Sequence, residues 1–221
     1  MNFSKKNLKK VEDGLDIGPV SSFDFSQYRE QDWQNVLTCH NDQNTAAHGI
    51  YSKPQLWSSA NHAISKVQVS VSEQASTVTS VAVSLCGNFG VVGYENGKIM
   101  KFLMQSGKEK GLFTLDPSNN IGETLHTGEI TGLSIDSLNK NLVSSSKDKT
   151  IKLWDFYRGR LTKTYQCDYP VNKIAYNRQN DLVAFASSDL SITLLNARTG
   201  LKRVRHFPHA AENRITDICF S

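Results

Sequence analysis

The sequence has few cysteines, and their positions argue against a metal site or a disulfide framework. Cys39, Cys86, Cys167 and Cys219 lie far apart, and no two of them form a Cys-x-x-Cys pair. Scattered cysteines within apolar segments behave as small buried hydrophobic residues. We therefore expect a reducing compartment and no cofactor.

Long hydrophobic runs and a strong excess of one charge are also missing. No apolar stretch approaches the roughly 20 residues that cross a bilayer, and polar and basic residues follow Met1. The net charge of +4 is mildly basic. It permits a role in an RNA-rich assembly without requiring one. We expect no membrane among the partners.

A sustained helical period is absent, and short β-rich segments recur in groups of four. The clearest group comprises Ile130–Asp136, Asn141–Ser146, Thr150–Phe156 and Arg160–Gln166, and similar groups precede and follow it. Repeating four-stranded units are typical of a β-propeller. The pattern predicts a flexible basic leader or linker over 1–19 and an irregular first blade with its connection over 20–75. Further blades are predicted over 76–116, 126–166 and 167–207, with the first strand of another starting at 215.

Equivalent positions in neighbouring units have the spacing of propeller blades. Trp154 and Leu195 lie 41 residues apart in the third strands of two units, within the range of about 40–45 residues for WD blades. Phe102 occupies the equivalent position in the preceding unit. Its larger separation from Trp154 fits a loop insertion over 116–123, which is rich in Pro, Ser, Asn and Gly.

The segment from residue 126 to 155 resembles a complete WD repeat, with His126-Thr-Gly near its start and Trp154-Asp155 at its end. The resemblance implies a buried tetrad of His126, Ser144, Asp148 and Trp154. A buried indole N–H needs an acceptor, which a serine hydroxyl provides, and a histidine can link that hydroxyl to a carboxylate. We expect loss of Asp148 to cost about 2–3 kcal/mol.

The tetrad positions of the neighbouring units carry different residues. In the unit that contains Leu195 they are Asp189, Phe185 and Cys167, and in the unit that contains Phe102 they are Asn96, Val92 and Gln74. Apolar packing is expected to replace hydrogen bonding there.

A second resemblance covers the chain from about Arg29 to Ser221. Asp32-Trp33, Cys86-Gly-Asn-Phe-Gly90, Met104-Gln-Ser-Gly107 and Asp189-Leu-Ser-Ile192 are similar to the second propeller of tandem WD-repeat proteins of the small-subunit processome. The resemblance implies a non-enzymatic scaffold for pre-rRNA processing and 18S rRNA maturation. It also implies a location in the nucleus, within the nucleolus. It implies other processome WD-repeat proteins as partners, with direct or indirect contact to pre-rRNA or snoRNA. A generic WD-repeat adaptor of a ubiquitin ligase or trafficking complex is the alternative, because the fold alone names no partner.

Four blades and one further strand are too few to close a WD ring. We therefore expect this sequence to form part of a larger ring, and to aggregate if it were isolated with its terminal blades uncovered.

Several short motifs match catalytic or ligand-binding patterns by composition only. Ser144-Ser-Ser-Lys147 has the spacing of an acyl-transfer motif but lies at a strand end, where the two side chains point to opposite sides. Cys39, His40 and His48 lack a fourth metal ligand at suitable spacing. The glycines at 87, 90 and 93 precede no helix that could receive a phosphate. We therefore predict no enzyme activity, no metal and no small-molecule substrate.

The densest basic group of the ordered part is formed by Lys202, Arg203, Arg205 and His206, on a predicted outer strand. Strand alternation predicts that Arg203 and Arg205 point to the same side. The simpler interpretation is that these charges are solvated and keep the edge strand from pairing with a strand of another molecule. Contact of Lys202, Arg203 and Arg205 with RNA or an acidic partner is the functional one.

Overall fold

The computed structural model describes residues 19–40, 54–58, 65–68, 76–115 and 125–220, and these ranges form four antiparallel sheets of four strands each. The leader up to residue 18 and the insertion over 116–123 lie outside the described residues. In every sheet the strands follow one another in chain order, so each sheet is a simple meander. No described helix is long and apolar enough to cross a membrane. The all-β propeller architecture predicted from the sequence is confirmed.

The four sheets are numbered here as blades 1 to 4, and their strands as β1 to β16 in chain order. Blade 1 contains β1 (Val20–Phe25), β2 (Val36–His40), β3 (Gln55–Ser58) and β4 (Ser65–Gln68). Blade 2 contains β5 (Val78–Val83), β6 (Phe89–Tyr94), β7 (Ile99–Leu103) and β8 (Glu109–Leu112). Blade 3 contains β9 (Ile130–Ile135), β10 (Asn141–Ser146), β11 (Thr150–Asp155) and β12 (Arg160–Gln166). Blade 4 contains β13 (Val171–Asn177), β14 (Leu182–Ser187), β15 (Ile192–Asn196) and β16 (Lys202–Phe207).

The first strands of consecutive blades lie side by side on the inner side of the arc. The Asp24 carboxylate of β1 accepts the backbone N–H of Val83 at 2.7 Å, and the Thr79 hydroxyl of β5 donates to the carbonyl of Ile130 at 2.7 Å. Gly132 of β9 approaches β13 so closely that a Cβ there would lie 2.2 Å from Ile174 Cγ2. The four inner strands together line a central cavity of about 360 Å³.

The hydrophobic core lies in three clusters, one between each pair of neighbouring blades. Leu37 and Leu56 of blade 1 pack with Phe102 of blade 2. Trp154 and Phe156 of blade 3 share a cluster with side chains of blade 2. A third cluster joins blade 3 to blade 4. At about 1.5–3 kcal/mol for each large apolar side chain removed from water, this packing is the main force that holds the blades together.

A β-bulge recurs at the same place in three blades. The register between third and fourth strands shifts at Lys101/Phe102, at Leu153/Trp154 and at Leu194/Leu195. Bulges bend a strand and increase its twist, which the outer strand of a propeller blade requires. The shared bulge makes Phe102, Trp154 and Leu195 structurally equivalent.

The prediction of a further first strand over Ile215–Phe220 was wrong. The structure assigns no strand there, although the segment is rich in residues with high β propensity. A strand exists only where a second strand supplies hydrogen-bond partners, and no described strand lies in register with this segment.

Candidate functional site: a hydrogen-bonded blade and a basic edge

The structure brings the four tetrad side chains of blade 3 into one continuous chain of hydrogen bonds. The indole N–H of Trp154 donates to Ser144 Oγ at 2.8 Å. Ser144 Oγ lies 2.7 Å from His126 Nε2, and His126 Nδ1 lies 3.0 Å from Asp148 Oδ2. Trp154 and Ser144 are almost completely buried, so these bonds form away from water. The third strand is thereby joined through the second strand to the loop that enters the first.

Asp148 ends this chain and holds the turn between β10 and β11. Its Oδ2 accepts the backbone N–H of Thr127 at 3.0 Å, and its Oδ1 accepts the backbone N–H of Thr150 at 2.9 Å. The Thr150 hydroxyl donates to the same Oδ1 at 2.6 Å. Both carboxylate oxygens are therefore occupied by donors from two different segments, which no neutral side chain of this size reproduces.

The protonation states of the pair follow from burial and from these contacts. Burial lowers the pKa of His126, and the hydrogen bond and charge of Asp148 only partly oppose this shift. Burial also opposes ionisation of Asp148, but donors from His126, Thr150 and Thr127 outweigh it, so the pKa of Asp148 falls well below its usual range. A neutral His126 that donates from Nδ1 to an ionised Asp148 leaves Nε2 free to accept the Ser144 proton.

The same geometry removes Ser144 from any role as a nucleophile. Its oxygen accepts the Trp154 N–H, its proton is directed to His126, and the side chain is 0% exposed. A serine nucleophile needs a free path from its oxygen to a substrate carbonyl. The cluster of serine, histidine and aspartate is therefore a structural network.

Blade 1 contains a second indole-hydroxyl pair, which the sequence analysis missed. The indole N–H of Trp57 donates to Thr38 Oγ1 at 2.8 Å, and Thr38 Oγ1 lies 2.8 Å from His40 Nε2. Trp57 pairs with Val36, two residues before Thr38, just as Trp154 pairs with Leu142, two residues before Ser144. The imidazole comes from the second strand itself instead of the entering loop. A tryptophan opposite a second strand with a hydroxyl two residues later is the signal that could have found it.

Blades 2 and 4 replace both members of the indole-hydroxyl pair with apolar residues. Phe102 pairs with Gly90 and lies near Val92, and Leu195 pairs with Val183 and lies near Phe185. Cys167, at the position of the histidine, is buried, and burial raises the pKa of its thiol to about 12. At these two positions, therefore, neither blade has an indole or a hydroxyl that lacks its partner. Gln74 lies outside the described residues.

The turn residues at the aspartate position keep part of their role in these two blades. The Asp189 carboxylate accepts the backbone N–H and the hydroxyl of Ser191, at 3.3 and 2.8 Å. Asn96 Oδ1 accepts the backbone N–H of Lys98 at 3.1 Å. The turn contact is thus independent of the tetrad.

A buried lysine connects blades 2 and 3. Lys101 Nζ donates to the carbonyls of Phe156 and Tyr157, at 2.8 and 3.1 Å, and lies 5.0 Å from the centre of the Phe156 ring. Burial lowers its pKa, which the charge of Asp155 partly opposes. The carbonyls and the ring face compensate the desolvated ammonium, so Lys101 joins the two blades.

The basic edge lies on β16, as predicted, but the expectation that Arg203 and Arg205 share one side was wrong. The bulge at Val204 shifts the register, so that Arg203 pairs with Leu195 and Arg205 pairs with Leu194. Adjacent pairs lie on opposite faces of a sheet. Arg203 consequently reaches Tyr165 of blade 3, whereas Arg205 lies over the Phe207 ring on the face that points away from blade 3. Lys202 pairs with Asn196 and lies on the same face as Arg205.

The remaining short motifs occupy structural positions. His40 is engaged with Thr38, the Cys39 side chain is buried, and His48 lies outside the described residues. Within the described ranges no group of His, Cys, Asp or Glu is arranged to hold a metal ion. Ser144 lies in strand β10, while Lys147 forms an exposed ion pair with Glu129.

Comparisons with known proteins agree with the propeller and specify its family. The family model for the WDR36/Utp21 second beta-propeller domain matches residues 1–221. The chain is 30% identical to U3 small nucleolar RNA-associated protein 21 of Saccharomyces cerevisiae over 225 residues, and 30% identical to its homolog in Schizosaccharomyces pombe over 217 residues. Each alignment covers 98% of this chain and 22% of the relative.

Human WD repeat-containing protein 36 is 28% identical over 205 residues, which cover 93% of this chain and 21% of that protein. The chain thus spans about a fifth of the length of these curated relatives. The blades, the shared register and these matches point to one family. The chain belongs to the WDR36/Utp21 family and corresponds to its second β-propeller domain.

Proposed function

We propose that this chain is a non-enzymatic scaffold of the small-subunit processome, acting in pre-rRNA processing and 18S rRNA maturation. The observation that carries the proposal is the match along almost the whole chain to relatives whose names state association with U3 small nucleolar RNA. A closed, buried hydrogen-bond network in place of an open catalytic site supports a scaffold role. The function so proposed places the protein in the nucleolus.

The partners proposed for this scaffold are other WD-repeat proteins of the same assembly, together with pre-rRNA or snoRNA. Charged blade edges suit such assemblies, because complementary charge selects the partner and the orientation of binding. The outermost strand β16 supplies one such edge, because Lys202 and Arg205 are exposed along it.

Affinity purification of the tagged full-length protein from its own cells tests the scaffold proposal. We expect U3 small nucleolar RNA and small-subunit rRNA precursors to be enriched together with other WD-repeat proteins. Enrichment of ubiquitin-ligase or vesicle-coat subunits without U3 RNA would support a generic WD adaptor and refute the proposal.

Charge reversal on β16 tests the edge. The double variant Lys202→Glu with Arg205→Glu is expected to reduce the yield of co-purified partners or RNA, since both cations are exposed on this outermost strand. Arg203→Glu is the matched control, because Arg203 contacts Tyr165 of blade 3 instead. Equal yields from the double variant and the native protein would exclude this edge as a contact.

A further inference from the structure

The turns of blades 3 and 4 form a continuous surface at one end of the strands. In a meander, the turn from first to second strand and the turn from third to fourth lie at the same end. Phe156 N–H donates to the carbonyl of Lys140 at 2.7 Å, and Ala197 N–H donates to the carbonyl of Asp181 at 2.9 Å. The Ser137 hydroxyl reaches the Arg178 carbonyl of the next blade at 3.5 Å. We call this surface the basic turn face; it comprises the turns 136–140, 156–159, 178–181 and 197–201.

Each of these four turns presents one exposed cation to solvent, namely Lys140, Arg158, Arg178 and Arg198. The cations do not occupy equivalent turn positions. Lys140 in blade 3 corresponds to Asp181 in blade 4, as their matching hydrogen bonds to the following turn show. Turn geometry therefore does not require a cation at any of these places, so the shared charge has another cause.

The carboxylates at this end are engaged within their own turns and strands. Buried Asp136 accepts the backbone N–H of Lys140 at 2.7 Å and the side-chain amide of Asn141 at 2.9 Å. Asp155 accepts the backbone N–H of Arg158 at 2.8 Å, and Asp181 accepts the Tyr176 hydroxyl at 2.7 Å. The acids are engaged within the turns, while Lys140, Arg158 and Arg198 are exposed and Arg178, also exposed, borders the central cavity.

The opposite end of the same two blades has the opposite charge. Its turns and connections, 125–129, 147–149, 167–170 and 188–191, carry two lysines and four carboxylates, whereas the basic turn face together with Asp155 at its border carries four cations and three carboxylates. One of the two lysines, Lys147, is in an ion pair with Glu129. Positive and negative charges are therefore concentrated at opposite ends of the two blades. Solvation of the surface alone does not require this separation.

We propose that the basic turn face binds the phosphate backbone of single-stranded RNA. Three of its four cations are arginines, whose planar guanidinium groups match phosphate oxygens with two parallel hydrogen bonds. Tyr157 lies beside Arg158 and is 83% exposed, which offers a ring face for base stacking. A nucleic acid base can stack on this ring, whereas an acidic polymer without aromatic groups can use only the charge. The inference rests on the proposed function only in assuming that the protein meets RNA.

The test measures binding of an oligouridylate of about 20 nucleotides to the purified full-length protein at several salt concentrations. Arg158→Glu with Arg198→Glu is expected to weaken binding about tenfold or more. It should also reduce the slope of log affinity against log salt by about 1.4, since each lost phosphate contact removes roughly 0.7 on single strands. Tyr157→Ala is expected to weaken binding about fivefold or more without changing that slope, because stacking releases no counterions.

A control with the same change of charge separates a local site from a general loss of positive charge. Lys147→Glu with Arg214→Glu changes two exposed cations outside the basic turn face, and it should leave oligouridylate affinity within about twofold. Equal losses in both double variants, or no loss from Arg158→Glu with Arg198→Glu, would overturn the proposal. Competition by polyglutamate as effective as by RNA would overturn it in favour of an acidic protein partner.

The two proposals fail in different ways. If the scaffold proposal is wrong, the native protein will not enrich U3 RNA from cells, whether or not it binds oligouridylate. If only the RNA site is wrong, the Arg158→Glu/Arg198→Glu variant will bind oligouridylate like the native protein while U3 RNA is still enriched.

Discussion

Replacement of Asp148 by alanine should weaken blade 3 far more than its neighbours. The change removes the acceptor for two backbone N–H groups, for the Thr150 hydroxyl and for the His126 imidazole. Thr127 is exposed and regains a water partner, whereas His126 is almost fully buried and keeps only the Thr150 hydroxyl, 2.9 Å from its Nδ1, within reach. Leaving buried donors unpaired costs about 1–3 kcal/mol, so a total of about 2–3 kcal/mol is expected.

Native-state hydrogen exchange followed by mass spectrometry suits this prediction, because a protein with several propellers does not unfold in a single two-state step. Since about 1.36 kcal/mol corresponds to a factor of ten, amides of β10 and β11 that exchange by opening of the blade should exchange about 30- to 160-fold faster. Amides of blade 1 serve as an internal reference.

Asp189→Ala is the matched control in blade 4. Asp189 occupies the equivalent turn position, but its carboxylate accepts only from the backbone and hydroxyl of Ser191 in the described part of the chain. Its loss should cost about 1 kcal/mol or less. Similar acceleration of exchange in both variants would refute the argument that the chain of hydrogen bonds stabilises blade 3.

Three further predictions concern the other polar contacts of the blades. Thr38→Val and Trp57→Phe should each destabilise blade 1 by about 1 kcal/mol. The double variant should destabilise it by less than the sum of the two, because it reproduces the apolar pairing of blade 2. Additive effects of the two changes on hydrogen exchange would contradict this prediction. Lys101→Met should loosen the contact between blades 2 and 3 by about 1–3 kcal/mol, since two carbonyls lose their donor, and unchanged exchange there would contradict it. Stability should fall as pH drops below 6.5 and again below 3.8, because the folded state lowers the pKa of both His126 and Asp148 and so binds fewer protons than the unfolded state. Hydrogen exchange of β10 and β11 at stepped pH, normalised to the exchange rates of unstructured peptides, should show the first loss in the native protein and not in His126→Gln.

The tetrad of blade 3 was predictable because its four members lie within one repeat at fixed spacing. Each residue type also has a single partner that satisfies it when buried, so composition and spacing determine the network. The indole-hydroxyl pair of blade 1 was missed because its histidine lies on the second strand at His40, where the pattern places no imidazole. Pairing register, which brought Trp57 to Thr38, is a tertiary property that the sequence of one strand does not contain.

The two wrong predictions have related causes. Alternation along β16 was inferred from sequence position, but a bulge at Val204 inserts one residue and reverses the sides of the arginines. The segment Ile215–Phe220 has the composition of a strand, and composition alone does not supply a paired neighbour. Both features depend on the partner strand, which local patterns do not specify.

If this propeller serves the assembly that matures small-subunit rRNA, loss of the protein should reduce newly made 18S rRNA, which pulse labelling of rRNA measures. The protein is depleted from its cells, and newly made 18S and large-subunit rRNA are compared with and without re-expression of the native chain. We expect 18S rRNA to fall, large-subunit rRNA to persist, and re-expression to restore the balance. Undiminished synthesis of 18S rRNA after complete depletion would contradict it.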